Sequence, residues 1–523
     1  MDITVSANVP SNPPRGSMAN IVLTSMAVMS GAFTFGIESG TIAGFQAMES
    51  WLKDFGYYDE QLHEWNIHTS TQLQIGALML VGAVLGSLLS GPIGTKLGRK
   101  PGLVAIALTA ILGVIFQVVH ASLTLLLIGR FLQGGAIGFA SNFVPVYQSE
   151  IAPARYRGIL VSLYQLGVNI GGLVGTCINQ GTYNMRTRWA YRIPLLASLF
   201  FPTILFIVTF MLPESPRWLL SVDRTEDARN SLRRLRGKEY PEDQIEQDIR
   251  TIAEHIAIER QFELNSSCID LFKGTDRRRT SIVSMVLLFQ ILSGITFVTS
   301  YGTYFFQASG VNNAFLITIV GALCQLAGLL VLYPSLRFMG RRTILLSGAV
   351  AEVVCWFVVA IVAVAAPNAP AAASCLVAFI CLFTFFFTWS WGAVGWIVAS
   401  EVSSNKLRSR TQSLGTTINW TTSLIVAAIS PYLINTSAAN LGGEIGFIWG
   451  SLTFVGLIWA YFYLPETDGR TLEEIDEIFM KNIPARKFST YHLEDHANSY
   501  GRRTSKDTKF KEDVQITHEE NRV

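Results

Sequence analysis

Apolar stretches about as long as a membrane is thick recur along this chain of 523 residues. A helix needs about 20 apolar residues to cross the ~30 Å hydrocarbon core of a bilayer. Lipid cannot hydrogen-bond a bare backbone, so segments of this length must be helices. The sequence therefore predicts an all-α membrane protein. Its twelve transmembrane helices are expected at roughly 19–46, 70–94, 102–121, 123–146, 158–180, 190–212, 281–307, 313–336, 343–366, 372–400, 411–434 and 444–464.

The composition agrees with this assignment. Half of the residues are hydrophobic and only 15% are charged, which is too apolar for a soluble globular protein of this size. The first stretch has no basic n-region and no small-residue cleavage site, so it is predicted to be a span and not a cleavable signal peptide. Five of the six cysteines fall in predicted spans, so no disulfide framework is expected.

Basic residues cluster in the short loops that follow even-numbered spans. The opposite loops are nearly free of them, with Lys53, Arg186, Arg188 and Arg192 as exceptions. By the positive-inside rule both termini and the long 213–280 loop face the cytoplasm. The clustered residues are Lys96, Arg99, Lys100, Arg155, Arg157, Arg337, Arg341, Arg342, Lys406, Arg408 and Arg410.

The chain also repeats its loop motifs. LGRK at 97–100 matches MGRR at 339–342, SEIAPARYRG at 149–158 matches SEVSSNKLRS at 400–409, and PESPR at 213–217 matches PETDGR at 465–470. From the Glu of the second motif to the next Pro-Glu is 63 residues in the first copy and 64 in the second. Basic loops alone would satisfy the positive-inside rule, but they would not need this spacing of acid, base and proline. The repeat predicts two six-helix halves with a site between them.

These boundaries divide the chain into five parts. Residues 1–18 are a polar, proline-containing segment that is expected to be disordered, and 19–212 form the first six-helix bundle. Residues 213–280 are charged with helical periodicity, and 281–464 form the second bundle. The tail at 465–523 is polar beyond about residue 480 and is also expected to be disordered.

The motifs GRK and GRR, PESPRWLL, PETDGRTLEEID and the paired SE…R blocks resemble the sugar porter family of the major facilitator superfamily, in its fungal, proton-coupled form. The resemblance covers roughly 20–480 and implies alternating access, in which two halves rock around a central sugar site. One departure is Thr95, where the family usually has Asp. The resemblance implies that salt bridges close the cytoplasmic gate, formed by Arg99, Glu150, Arg157, Arg341, Glu401 and Arg408.

Two charged residues lie in the middle of first-half spans, Glu38 in FGIESG and Arg130 in LLLIGRFLQGG. A charge at the bilayer centre costs roughly 2.5–3.5 kcal/mol on insertion scales, so each needs a partner. The resemblance implies that they pair and couple transport to protons, because burial and a nearby arginine act oppositely on a carboxylate's affinity for a proton. The alternative is a static ion pair. Glu352 matches no family motif and is interpreted as structural.

A sugar site needs hydrogen-bonding groups for hydroxyls and aromatic faces for the apolar side of the ring. The resemblance implies hydroxyl contacts from polar residues and ring stacking from two tryptophans. Span seven departs from the family with Ile291 after its Gln, and a count of 100° per residue puts Ile291 and Thr296 on different faces of one helix. The predicted substrate-binding residues are Gln165, Gln290, Thr296, Gln325, Thr388, Trp396, Asn419 and Trp420.

The sequence thus predicts a monomeric plasma-membrane transporter that imports a sugar with a proton. It favours no nucleic-acid partner, no cofactor and no metal, and the chain contains no set of residues typical of an enzyme. A facilitative uniporter, a transporter of a polyol or a quinate-like acid, and a non-transporting nutrient sensor stay open. Sensors of the family usually carry a longer signalling tail than the one expected here. The sequence does not choose between a hexose, a disaccharide and quinate.

Overall fold

The computed structural model describes residues 15–60, 63–152, 157–237, 240–264, 268–309, 313–366, 370–404, 406–435, 438–470, 472–488 and 491. Within this part, twelve helical segments are long and apolar enough to cross a membrane, and each overlaps one predicted span. The prediction of a twelve-span, all-α membrane protein is confirmed. The predicted disorder of 1–18 and of the tail falls mostly on residues 1–14 and 492–523, which lie outside the described residues.

In the described part of the first half there are nine helices and one short antiparallel hairpin, in which Tyr57 pairs with Asn66. Its elements are α1 (Arg15–Val28), α2 (Ser30–Phe45), α3 (Glu49–Phe55), β1 (Tyr57–Asp59), β2 (Glu64–Asn66), α4 (Thr69–Lys96), α5 (Arg99–Val119), α6 (Leu123–Ile151), α7 (Arg157–Thr182), α8 (Trp189–Ser198) and α9 (Phe200–Met211).

The linker between the halves contains α10 (Pro216–Ser221), α11 (Thr225–Arg236), α12 (Glu242–Leu264) and a 3₁₀ turn (Cys268–Phe272). The three α-helices pack around a small apolar core that includes Trp218 and Leu232. A hydrogen bond of 2.5 Å from Arg229 to Glu246 joins α11 to α12 and holds the pKa of that exposed carboxyl below its usual range. The membrane face that carries these helices is called the linker side, and the opposite face, with the β-hairpin, the hairpin side.

The second half contains α13 (Gly274–Leu292), α14 (Ile295–Ala308), α15 (Ala314–Ser335), α16 (Arg341–Ala365), α17 (Pro370–Phe387), a π-helical turn (Thr388–Gly392), α18 (Ala393–Val402), α19 (Arg408–Ile434), a 3₁₀ turn (Gly442–Glu444) and α20 (Ile445–Tyr463). After the last span come α21 (Leu472–Met480) and a 3₁₀ turn (Ala485–Lys487). The largest apolar core of the molecule lies within this half.

The repeated Pro-Glu motifs have the same structural role in both halves. The Glu214 carboxylate accepts hydrogen bonds from the backbone N–H groups of Arg99 (3.0 Å) and Lys100 (3.1 Å) at the start of α5. In the second half Glu466 accepts from the N–H of Arg342 (3.2 Å) near the start of α16. The first N–H groups of a helix have no partner within it, and a negative charge there is favourable. Each glutamate therefore caps the helix that follows its half's Gly-Arg motif.

The glycine of each Gly-Arg motif gives this capping carboxylate its space. A Cβ placed on Gly98 would lie 2.6 Å from the Glu214 carboxylate, and one on Gly340 would overlap with Glu466. Gly98 also has φ +103, a conformation that residues with a Cβ rarely adopt. The Gly-Arg and Pro-Glu motifs of each half thus form the same helix cap, once in each half.

Span seven is not one continuous helix. It breaks between α13 and α14 at Gly294, which has φ +92. The carbonyl of Ser293, left free by the break, accepts a 2.8 Å hydrogen bond from the indole N–H of Trp356. The angle of 100° per residue therefore does not apply between Ile291 and Thr296, and both side chains are largely buried.

We expect Gly294→Ala to lower the thermal stability of the protein. A left-handed backbone costs a residue with a Cβ about 1–2 kcal/mol, and the added Cβ would lie 2.8 Å from the Trp449 ring. The measurement is the temperature at which purified protein loses its monodisperse peak in size-exclusion chromatography. The control is Gly321→Ala, since its added Cβ meets no atom within 4 Å. Equal stability of the two variants would contradict the prediction.

Candidate functional site

Among the described residues, the two halves meet mainly along three helix pairs. Helix α2 packs against α14, α4 against α19, and α7 against α15. Between them lies a small recess with a volume of about 30 Å³. Its polar lining comes from Ser39, Gln46 and Arg130 of the first half and from Ser300 and Tyr301 of the second. Both halves thus build the recess together, and its polar groups lie among apolar ones such as Ile42, Met79 and Leu80.

Glu38 of α2 and Arg130 of α6 meet at the edge of this recess. The guanidinium Nη1 lies 3.5 Å from the carboxylate Oε2, and both side chains are almost completely buried. Arg130 also donates to Gln133 Oε1 at 3.2 Å and contacts the Met79 sulfur at 2.6 Å. Helix α6 comes this close to α4 because Gly134 has no side chain where the Met79 carbonyl approaches.

The electrostatics of this pair are unbalanced. A separation of 3.5 Å is long for a charged hydrogen bond, and the Arg130 Nε has no partner among the described residues. Two buried charges are stabilised only when their geometry is good and their remaining hydrogen bonds are satisfied. In this arrangement the pair therefore has a long contact and one buried guanidinium N–H group without a partner among the described residues.

A second polar cluster lies in the second half, around Gln290 of α13. The Gln290 amide N–H groups donate to the carbonyls of Trp391 (2.7 Å) and Gly392 (3.1 Å) in the π-helical turn. Its Oε1 accepts from Asn419 Nδ2 at 2.9 Å. The wide turn of a π-helix leaves backbone carbonyls available, which is why a side chain from another helix can bind them. The structure brings Gln290 and Asn419 together, with the amide donors of Gln290 already used by the protein.

The other predicted sugar contacts are more dispersed. The Thr388 hydroxyl donates to its own helix at Thr384, and Thr296 is largely buried. Trp420 reaches across the interface to Phe35, with ring centroids 6.2 Å apart, whereas Trp396 is 39% exposed. Gln165 and Gln325 are half-buried and lie on α7 and α15, two helices that pack across the interface.

Several residues of the recess were missed by the sequence analysis. Gln46 and Tyr301 are buried there, and the Tyr301 hydroxyl donates to the Ala427 carbonyl at 3.0 Å. Each residue has a visible feature in the sequence. Gln46 is a polar residue at the end of an apolar stretch, and Tyr301 lies in the run SYGTYFF. Neither pattern indicates, without the packing, that the side chain points between the halves.

Polar and aromatic contacts hold the halves together on the hairpin side. The Asn435 amide donates to Thr69 Oγ1 (2.9 Å) and to Gln72 Oε1 (3.0 Å). Gln72 in turn donates to Gln46 at the recess, at 2.6 Å. The rings of Tyr183 and Phe315 stack with centroids 4.6 Å apart. These contacts close the interface on the hairpin side.

The predicted gate residues lie on the linker side. Arg99 forms a two-point ion pair with Glu150 (2.9 and 2.6 Å), within the first half. In the second half Arg341 contacts Glu401 at 3.4 Å and also pairs with Asp468. Each of these ion pairs therefore joins residues of the same half, the first half for Arg99 and the second half for Arg341.

The remaining residues of this region show how the loops are held. Arg408 begins α19 and Arg157 begins α7, although the Arg157 side chain lies outside the described part of the chain. Where the family usually has Asp, Thr95 is held through its backbone, because its carbonyl accepts a 3.0 Å hydrogen bond from the Trp218 indole. The last turn of α4, just before the loop, is thus hydrogen-bonded to Trp218 of α10.

Comparisons with known proteins agree with one another. A family model described as "Sugar (and other) transporter" matches residues 23–479. The chain is 34% identical over 481 residues to the major facilitator-type transporter ecdD of Aspergillus rugulosus, covering 89% of this chain and 88% of that protein. It is 33% identical over 482 residues to the probable glucose transporter rco-3 of Neurospora crassa, covering 89% and 80%.

A solved structure has the same fold. The inward-open conformation of the xylose transporter XylE from E. coli superimposes with a TM-score of 0.71, covering 88% of this chain and 99% of that one. The sequence identity between the two is 21%. At this identity the similarity establishes the fold.

Proposed function

The chain belongs to the sugar transporter family of the major facilitator superfamily, and on that premise we propose that it imports a sugar by proton symport through alternating access. It is a multi-pass membrane protein. The observation that carries the proton assignment is the buried Glu38–Arg130 pair beside the recess between the halves. Both residues belong to the first half, and the second half contributes Ser300 and Tyr301 to the recess that Arg130 lines. A movement of the second half would therefore change the surroundings of the pair, which is what coupling requires.

The contacts between the halves support a proposal for the direction of opening. The hairpin side is closed by Asn435 with Thr69 and Gln72, and by Tyr183 with Phe315. On the linker side the gate pairs lie within each half. We propose that the linker side is cytoplasmic, as the distribution of basic residues predicts, and that this conformation faces inward.

The substrate class is proposed from the relatives and from the site. One of the relatives is a probable glucose transporter, and the polar side chains at the interface suit hydroxyl groups. We propose Gln165, Gln290, Thr296, Gln325, Thr388, Trp396, Asn419 and Trp420 as the sugar-binding residues of the transport cycle. We propose further that the protein acts as a monomer in the plasma membrane. We also propose that the chain is divided into the five parts described from the sequence: 1–18, 19–212, 213–280, 281–464 and 465–523.

Uptake of a panel of radiolabelled sugars tests this function, in cells that lack their own sugar transporters. Symport predicts accumulation above the external concentration, and a protonophore should abolish it. If the internal sugar only reaches the external concentration, with or without the protonophore, the protein is a uniporter. Uptake of quinate or a polyol in place of sugars would overturn the substrate class, and surface protein without uptake of any of these would favour a sensor.

We expect charge reversal at the gate to impair transport. Glu150→Lys and Glu401→Lys each place a cation against the arginine that the glutamate now pairs with, Arg99 or Arg341. The initial uptake rate, normalised to surface protein, should fall several-fold in each variant. Glu226→Lys is the control, because Glu226 lies exposed on the linker helix α11. Normal uptake in both gate variants would show that these loops act only as topological signals.

A further inference from the structure

A second carboxylate lies inside the membrane-spanning part of the chain, in the half opposite to Glu38. Glu352 is in the middle of α16 and has no exposed surface. Its Oε1 lies 3.1 Å from the hydroxyl of Ser390 in the π-helical turn. Its Oε2 has no hydrogen-bond partner among the described residues. The carboxyl group is thus buried with a single polar neighbour.

Among the described residues, the elements that pack most extensively on α16 supply no cation to this carboxyl group. Helices α17 and α20 and the π-helical turn contain no Lys, Arg, His, Asp or Glu. Helix α18 contributes Glu401, which contacts Arg341, and the 3₁₀ turn before α20 contributes Glu444, which is exposed. The other ionisable groups on these elements are weak acids, namely Cys355, Cys375, Cys381, Tyr461 and Tyr463. An ionised Glu352 would therefore be an uncompensated buried charge, which is strongly unfavourable.

The hydrogen bonds of Ser390 indicate where a proton lies. Its hydroxyl oxygen is 2.6 Å from the Phe386 carbonyl and 3.1 Å from Glu352 Oε1. A serine hydroxyl has one proton to donate, and the shorter contact takes it. The contact to Glu352 is then satisfied only if the carboxyl group itself carries a proton and donates it to Ser390. The geometry fits a neutral carboxylic acid.

This contact is connected to the polar cluster around Gln290. Gly348, one turn before Glu352 on α16, leaves the space that the Ser390 side chain occupies. The next two residues of the π-helical turn, Trp391 and Gly392, present the carbonyls that accept from Gln290. Glu352 therefore holds one side of the turn whose other side positions Gln290.

We propose that Glu352 is a second proton-binding site, which holds a proton while the π-helical turn has this form and releases it when the turn rearranges. It acts as a positioning residue, because its hydrogen bond to Ser390 fixes the carbonyls that orient Gln290. The site is separate from the Glu38–Arg130 pair and lies in the other half. Proton binding here does not depend on which substrate the protein carries.

Infrared spectroscopy of the purified full-length protein in lipid tests this site. A protonated carboxylic acid has a C=O stretching band at a higher frequency than the amide band of a glutamine or the bands of an ionised carboxylate. The measurement is made in a Glu38→Gln background, which removes the other buried carboxyl group of the interface. We expect a band that disappears in Glu38→Gln/Glu352→Gln, and whose intensity falls as the pH is raised. Glu444→Gln in the same background should leave the band unchanged.

Ser390→Ala provides the second variant, because it removes the acceptor without touching the acid. The C=O band should persist and move to higher frequency, as expected when the acid loses its hydrogen bond. The proposal is overturned if no band depends on Glu352, since the group would then be ionised. It is also overturned if the band is present but insensitive to pH wherever the protein stays folded, since the proton would then be a fixed part of the fold.

Discussion

Glu38→Gln should abolish accumulation of the transported sugar against its gradient, while exchange of labelled for unlabelled sugar across the membrane stays measurable. The glutamine side chain has nearly the same shape and keeps a hydrogen-bonding group near Arg130, but it cannot bind and release a proton. The measurement is the steady-state ratio of internal to external sugar in energised cells. This ratio should not exceed one in the variant, whatever its surface expression.

The control for this change is Glu49→Gln, because Glu49 is an exposed glutamate on α3 that pairs with Lys53. It should accumulate sugar as the unaltered protein does. Arg130→Ala should fail to accumulate as well, since the acid left behind in an apolar setting would keep its proton. Accumulation by Glu38→Gln would remove the symport assignment and leave a static ion pair that orients α2 and α6.

Gln290→Ala should reduce the transport of every sugar the protein carries. The change removes the side-chain donor from two carbonyls of the π-helical turn. It also removes one of the two acceptors of the Asn419 amide, which keeps its hydrogen bond to the Leu287 carbonyl. Each buried polar group left unsatisfied costs about 1–3 kcal/mol, so kcat/KM for uptake should fall by about 10- to 100-fold. The measurement is the initial uptake rate over a range of sugar concentrations, normalised to surface protein.

A double-mutant cycle with Asn419→Ala tests whether these residues act together. Because Gln290 and Asn419 hydrogen-bond to each other, the double variant should lose less than the sum of the two single losses in free energy. Gln247→Ala, an exposed glutamine on the linker helix α12, should change nothing. Additive losses, or a loss confined to one sugar, would contradict the view that the cluster supports the site as a unit.

The fold was predictable because span length and loop charge are local properties of the sequence. The proximity of Glu38 and Arg130 followed from the family resemblance, since 92 residues separate them in the chain. The break at Gly294 did not follow, because it depends on Trp356 and Trp449 packing against a position where only a glycine fits. Such contacts between distant helices leave no periodic pattern.

The site was predictable only in part for the same reason. Gln290 and Asn419 were identified as polar residues inside spans, but their hydrogen bonds to each other and to the π-helical turn depend on how α13, α18 and α19 pack. Gln46 and Tyr301 reach the recess because the two halves meet there. The orientation of a side chain at an interface is set by both of its surfaces, and each surface is encoded in a different half of the chain.

The duplicated Pro-Glu caps have a mechanical consequence. Glu214 ties the loop after α9 to the start of α5, and Glu466 ties the loop after α20 to the start of α16. Each contact closes a loop of chain within one half, so it resists shear inside that half and leaves the half free to rotate as a rigid body. The motion that costs the least energy is then a change in the angle between the two halves. A proton or a sugar bound at the interface acts on that angle with little of its binding energy lost to deformation elsewhere.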